Sequence, residues 1–193
     1  MRLSCFATPT IACCIALAGL VPVSAQGTPS GPGHFGFTMY GTAAFGGDTV
    51  GVVGFKDGST QNINAGQGLD FGLGGHYKID RLPVDISATL GYKYVTTQAT
   101  NANINLSRTV LELRADYLFP NHAWVGLGSV WHSNIKLNSD GYAPNLAFDD
   151  AQGVTVKVGW HWVALAYTNM KYRDEFGFNF DASNFGITLV GRW

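Results

Sequence analysis

Apolar and polar residues alternate along most of this chain, and a side-chain period of two is that of a β-strand. The alternation runs through eight segments: 34–46, 66–79, 83–96, 104–119, 122–136, 151–160, 162–173 and 182–193. In the first, Phe35, Phe37, Met39, Gly41, Ala43 and Phe45 share a face; in the second, Leu69, Phe71, Leu73, Gly75, Tyr77 and Ile79 do. The pattern continues with Val84, Ile86, Ala88, Leu90, Tyr92 and Tyr94, and then with Thr109, Leu111, Leu113, Ala115, Tyr117 and Phe119. Val125, Leu127, Ser129 and Trp131 follow, then Val154, Val156, Val158 and Trp160, then Val163, Leu165 and Tyr167. The last segment contributes Phe185, Ile187, Leu189, Gly191 and Trp193. None of these faces carries a charge. The opposite faces carry Asp70, Lys78, Asp85, Lys93, Arg108, Glu112, Arg114, Asp116, Lys136, Lys157 and Arg192.

The connectors alternate in length as well. Asp80-Arg81-Leu82, Pro120-Asn121 and His161 are tight, whereas Gly47–Ala65 and Asn138–Asp150 are long and polar. Short turns at one rim and long loops at the other fit an up-and-down barrel. Two barrels share this pattern. A secreted soluble barrel turns its apolar face inward, whereas a membrane barrel turns it toward lipid. Glycine favours the second. Gly36, Gly68, Gly72, Gly74, Gly91, Gly126, Gly128, Gly159 and Gly186 all fall on the charged face. Glycine is odd on a water-facing strand surface, but in a narrow lumen it makes room for long side chains.

Aromatics gather near both rims, the pattern of two membrane interfaces. Trp124, Trp160 and Trp162 are expected near the short turns, and Tyr94, Trp131 and Tyr172 near the long loops. The predicted fold is all-β: an eight-stranded antiparallel up-and-down transmembrane β-barrel spanning 34–193.

Residues 1–25 read as a secretory signal peptide, with Arg2, an apolar run from Ile11 to Leu20, and the small-residue cleavage site Val23-Ser24-Ala25. Residues 26–33 form a Pro- and Gly-rich lead-in. Cys5, Cys13 and Cys14 all lie in the signal segment, so the mature chain is expected to use no disulfide, thiolate metal site or cysteine nucleophile. Removing Arg2 from the 12 basic residues leaves 11 against 13 acidic ones, a formal charge of −2. That balance gives no case for nucleic-acid binding.

Arg108, Glu112, Arg114 and Asp116 form a charged ladder on one inner face, which Asp85, Lys93 and Lys136 can answer from neighbouring strands. It reads either as an ion path or as a salt-bridge plug. An eight-stranded interior is barely wide enough for its side chains, and buried charges must pair, so the plug is expected. His34, His76, His122 and His161 should lie near the short turns in no zinc-motif spacing, so no metal is assigned. Asn138-Ser139-Asp140-Gly141 lacks the rest of a calcium loop. No catalytic residue and no cofactor is assigned.

The closing strand, with Phe185, Ile187, Leu189 and a final Trp193, resembles that of bacterial outer-membrane barrels, where the terminal aromatic helps the assembly machinery recognise the chain. The chain from residue 34 on is similar to the small barrel superfamily that includes the membrane domain of outer-membrane protein A and the opacity-type proteins. Gly91-Tyr92-Lys93-Tyr94, Ser107-Arg108 and Trp131-His132 resemble a largely uncharacterised proteobacterial branch, which more often carries Arg at position 166, here Ala166.

The resemblance implies a Gram-negative outer-membrane location and contact with outer-membrane lipid, lipopolysaccharide and the assembly machinery. It implies a structural or surface-interaction role through loops near 46–65, 97–103, 137–150 and 174–181, with a conduit for small apolar solutes or lipids as the alternative. His132-Ser133-Asn134 also resembles the His-x-Ser-Asn stretch of lipid A deacylases, but the intervening residue is missing. Adjacent strand residues face opposite ways unless a bulge intervenes, so a hydrolase is the least favoured reading.

Overall fold

The computed structural model describes residues 3–7, 33–55, 58–96 and 104–193. Most of the expected signal segment and lead-in, positions 56–57 and the loop at 97–103 lie outside the described residues. Leu3–Ala7 runs as a short strand parallel to Thr49–Phe55. No helix occurs among the described residues.

Eight strands carry the alternating pattern: β1 (His34–Phe45), β2 (Gly68–Lys78), β3 (Val84–Thr96), β4 (Asn105–Leu118), β5 (Ala123–Asn138), β6 (Ala151–Trp160), β7 (Val163–Asn169) and β8 (Asn184–Arg192). Each pairs antiparallel with the next, and β8 returns to β1 from Phe185↔Phe45 to Arg192↔Thr38. Phe37 and Trp193 extend that seam by exchanging two backbone hydrogen bonds of 2.9 Å. The product is a closed, eight-stranded up-and-down β-barrel. Closure satisfies every wall strand on both sides and removes the exposed edge an open sheet would present.

The alternation sorts the two faces. Phe71, Leu90, Leu127, Leu165 and Ile187 point outward and are more than half exposed. Asp85, Arg108, Glu112, Arg114, Asp116 and Lys157 point inward and are buried. Inner-face glycines leave space for large neighbours. A Cβ on Gly72 would strike the Tyr40 ring, one on Gly126 the Asp116 carboxylate, and one on Gly159 the Trp124 indole.

The short turns are braced against one another. His122 and His161 both hold positive φ, 65° and 52°, a conformation that costs a side-chain-bearing residue about 1–2 kcal/mol. The two turns interlock in compensation. The His161 N–H donates to the His122 carbonyl at 3.0 Å, and the rings stack 4.4 Å apart. Trp124 Nε1 donates to the His161 carbonyl at 3.2 Å, and Trp160 Nε1 to that of Asn121 at 3.1 Å.

At the opposite end the long loops build a cap. Thr49–Phe55 pairs with Thr60–Asn64, and Lys171–Arg173 with Asn179–Asp181. Val50, Val53, Ile63, Phe148, Met170 and Tyr172 pack there with Leu106, Ile135 and Leu137 from the wall.

The structure corrects four sequence expectations. The seventh strand, expected over 162–173, ends at Asn169; Met170 and Tyr172 turn inward into the cap, so Tyr172 is no rim aromatic. Lys136, expected inside, is exposed on the outer side. Thr109 pairs with Ser133 but Ser107 with Lys136, so β5 holds one extra residue around Asn134, which has φ 52°. That bulge reverses the phase and sends Ile135 and Leu137 inward. Trp124, expected in an aromatic belt, is 1 % exposed within the lumen. Its parity is opposite to that of outward Val125 and Leu127, which leaves it only the axis.

Candidate functional site

The barrel interior concentrates the charged side chains of the wall. β4 presents Arg108, Glu112, Arg114 and Asp116 on its inner face because strand periodicity puts every second residue there. Arg114 lies between two carboxylates of its own strand. Its Nε donates to Asp116 Oδ1 at 2.6 Å, one terminal nitrogen reaches Asp116 Oδ2 at 3.1 Å, and the other pairs with Glu112. Lys157 on β6 donates to both Glu112 oxygens at 2.9 Å.

Arg192 on β8 pairs with Asp116, and its Nε stands 3.7 Å from Asp85. Asp85 also contacts His76 Nδ1 at 3.0 Å. The Trp124 indole lies against both guanidinium groups, 5.4 Å from Arg114 and 4.8 Å from Arg192. These contacts span β2, β3, β4, β6 and β8, so one ionic cluster ties both halves of the cylinder. Charge-assisted hydrogen bonds of this kind are roughly twice as strong as neutral ones, and they offset the desolvation of the buried ions.

A second layer lies nearer the loops. Asp70, Lys93 and Arg108 occupy one cross-strand row of β2, β3 and β4. The Tyr40 hydroxyl donates to Asp70 Oδ1 at 3.1 Å. Lys93 Nζ donates to the Gly66 carbonyl at 2.8 Å, and Arg108 donates to that of Gln67. His132 Nδ1 bonds the Tyr172 hydroxyl at 2.5 Å. Burial pushes that phenol up to about 12, so it stays protonated, and the tautomer of His132 sets which of the two groups donates.

Of the expected interior set, Asp85, Glu112, Arg114 and Asp116 share the first cluster, and Lys93 and Arg108 stand in the second layer; Lys136 is in neither. Asp70, His76, Trp124, Lys157 and Arg192 complete the two layers. Asp70, Lys157 and Arg192 were on the charged face in sequence, but nothing in the sequence said which would meet across the axis. Ala166 is inward and directly opposite Lys157.

The other expected site residues are scattered. His132 points into the lumen, whereas Ser133 lies on the other side at the bulge, so the pair shares no hydrogen bond among the described residues. Tyr94 stacks on Tyr92 at 6.4 Å, and Trp131 is half-buried on the outer wall. Trp160 and Trp162 are exposed at the short-turn rim, and Phe185, Ile187 and Trp193 on the outer face of the seam, with Leu189 half-buried among them.

No protein-family model matches this chain, and no curated protein matches it.

Proposed function

We propose that this chain is an integral outer-membrane β-barrel with a structural or surface-interaction role carried by its loop end. One observation carries the reading. The outward wall between the rims is a continuous apolar surface that includes Phe37, Phe71, Leu73, Leu90, Leu113, Leu127, Val158, Leu165 and Ile187. Apart from Lys136 near the loop end of β5, no outward position of the eight strands bears a charge. Monomeric soluble proteins rarely expose apolar patches beyond a few hundred Å², whereas a hydrocarbon solvent demands such a wall.

The filled interior supports a structural barrel over a conduit. Ion pairs occupy the lower lumen, and the apolar cap occupies the mouth. His132, held by Tyr172 and separated from Ser133, gives a hydrolase no support. On this reading outer-membrane lipid and lipopolysaccharide surround the wall, and the strand bearing Phe185, Ile187, Leu189 and Trp193 engages the assembly machinery.

Cell fractionation followed by gel migration with and without boiling tests the proposal. A folded membrane barrel sediments with outer membranes and shifts its apparent size on heating. Recovery in the soluble fraction, with no heat-dependent shift, would overturn it.

A further inference from the structure

The barrel wall has no free edge, but the loop end has one. The hairpin of Thr49–Phe55 and Thr60–Asn64 is anchored in the cap by Val50, Val53 and Ile63. Thr49–Phe55 is the middle strand of its small sheet. On one side it pairs with Thr60–Asn64, from Thr49↔Asn64 to Gly54↔Thr60. On the other it carries Leu3–Ala7, which runs parallel to it from Leu3↔Val53 to Ala7↔Phe55. That segment falls within the expected signal peptide at 1–25. Cleavage at the expected site removes it and leaves the mature chain with an open strand edge.

Nothing in the sequence of that edge discourages pairing. Thr49–Phe55, Thr-Val-Gly-Val-Val-Gly-Phe, holds no charge and no proline, the devices by which natural edge strands block strand addition. Neighbouring loop strands are closed by the chain itself. At Asn179–Asp181 the Asp48 N–H donates to the Asp181 carbonyl, and the Asp48 carboxylate accepts the Asp181 N–H, both at 2.7 Å. Leu146–Ala147 pairs with β5, and Phe148 bridges onward to Asp174. An unpaired row of N–H and C=O groups is a template for an extended chain.

We propose that the outer edge of Thr49–Phe55 in the mature protein binds an extended, uncharged segment of another protein by parallel strand addition. The proposal rests on the signal-peptide reading and deepens the surface-interaction role. Backbone hydrogen bonds supply the affinity. The chemistry of the occupant is set by Leu3–Ala7, Leu-Ser-Cys-Phe-Ala, which has neither charge nor proline. The parallel direction decides against a second copy of this chain. Identical edges paired about a two-fold axis run antiparallel, so a closed dimer does not reproduce this pairing.

The probe is a capped synthetic peptide of Leu3–Ala7 carrying Cys5→Ser. The protein is purified from the producing cell, and its intact mass locates the N-terminus. Amide hydrogen exchange along 49–55 is followed in detergent while the peptide is titrated. The expected N-terminus lies near residue 26, with fast exchange on the outer edge of the free protein. At roughly ten times the dissociation constant, exchange there slows about tenfold, while the amides of β3 and β4 are unchanged. The same peptide with Phe6→Pro lacks a ladder donor and gives no protection. Four results would each overturn the proposal: no saturable protection, equal protection by the proline peptide, edge amides already slowed by self-association, or a mature chain that keeps residues 1–25. Fractionation is a separate readout, so loss of the outer-membrane reading is distinguishable from loss of this one.

Discussion

Arg192 on the closing strand pairs with Asp116 on β4, 76 positions earlier and four strands away in either direction around the ring. The contact is a strut across the full width of the cylinder. Asp116 also receives Arg114, so one carboxylate restrains two guanidinium groups.

Asp116→Asn is therefore expected to destabilise the barrel by about 3–5 kcal/mol, since removing one partner leaves buried charge uncompensated. Urea unfolding, scored by the heat-dependent gel shift, checks this. A loss below about 1 kcal/mol, the scale of an exposed pair, would mean that water reaches the lower lumen.

Glu112 and Lys157 form the second strut, with both oxygens engaged. Glu112→Gln and Lys157→Met should each destabilise, and the double variant should lose less than the sum. The expected coupling is about 1–3 kcal/mol. Additive losses would show that the two groups do not meet.

Gly72 faces the Tyr40 ring, with no room for a Cβ between them. Gly72→Ala should cost about 1–3 kcal/mol through overpacking and should disturb the Tyr40 contact to Asp70. Urea unfolding of the variant beside the wild-type protein checks this, and unchanged stability would contradict it.

Leu127 and Lys136 both point outward from β5, one in the apolar belt and one beyond the bulge. In lipid vesicles Leu127→Arg should cost about 2–4 kcal/mol, the scale for arginine at the bilayer midplane. Lys136→Glu should cost little. Equal tolerance at both positions would argue for a wall bathed in water.

The barrel was legible in the sequence because two signals coincide on every strand. Within the eight wall strands no charge falls on the outward parity until the β5 bulge, and that segregation follows from a strand's two-residue repeat. Four things were missed. Lys136 was misplaced because a one-residue bulge leaves no hydrophobic signature of its own. Trp124 was read by its chemistry, as a belt aromatic, when the parity of Val125 already assigned it to the axis. The struts from Lys157 and Arg192 depend on how far the strands are staggered around the cylinder, and strand-by-strand alternation carries no information about that stagger. The cap was hidden for a related reason. Val50 and Val53 lie in the short stretch Thr49–Phe55 and Ile63 stands between two asparagines, and they become a core only when separate loops converge.

The extra residue at Asn134 divides β5 into two regimes. Below it, grease is outside and salt inside; above it, Asn134, Lys136 and Asn138 face out while Ile135 and Leu137 face in. The loop end thus has the layering of an ordinary water-soluble domain, mounted on a stem with the reverse layering. On the proposed outer-membrane reading a single strand crosses between two solvents, and the bulge marks the height at which it changes allegiance.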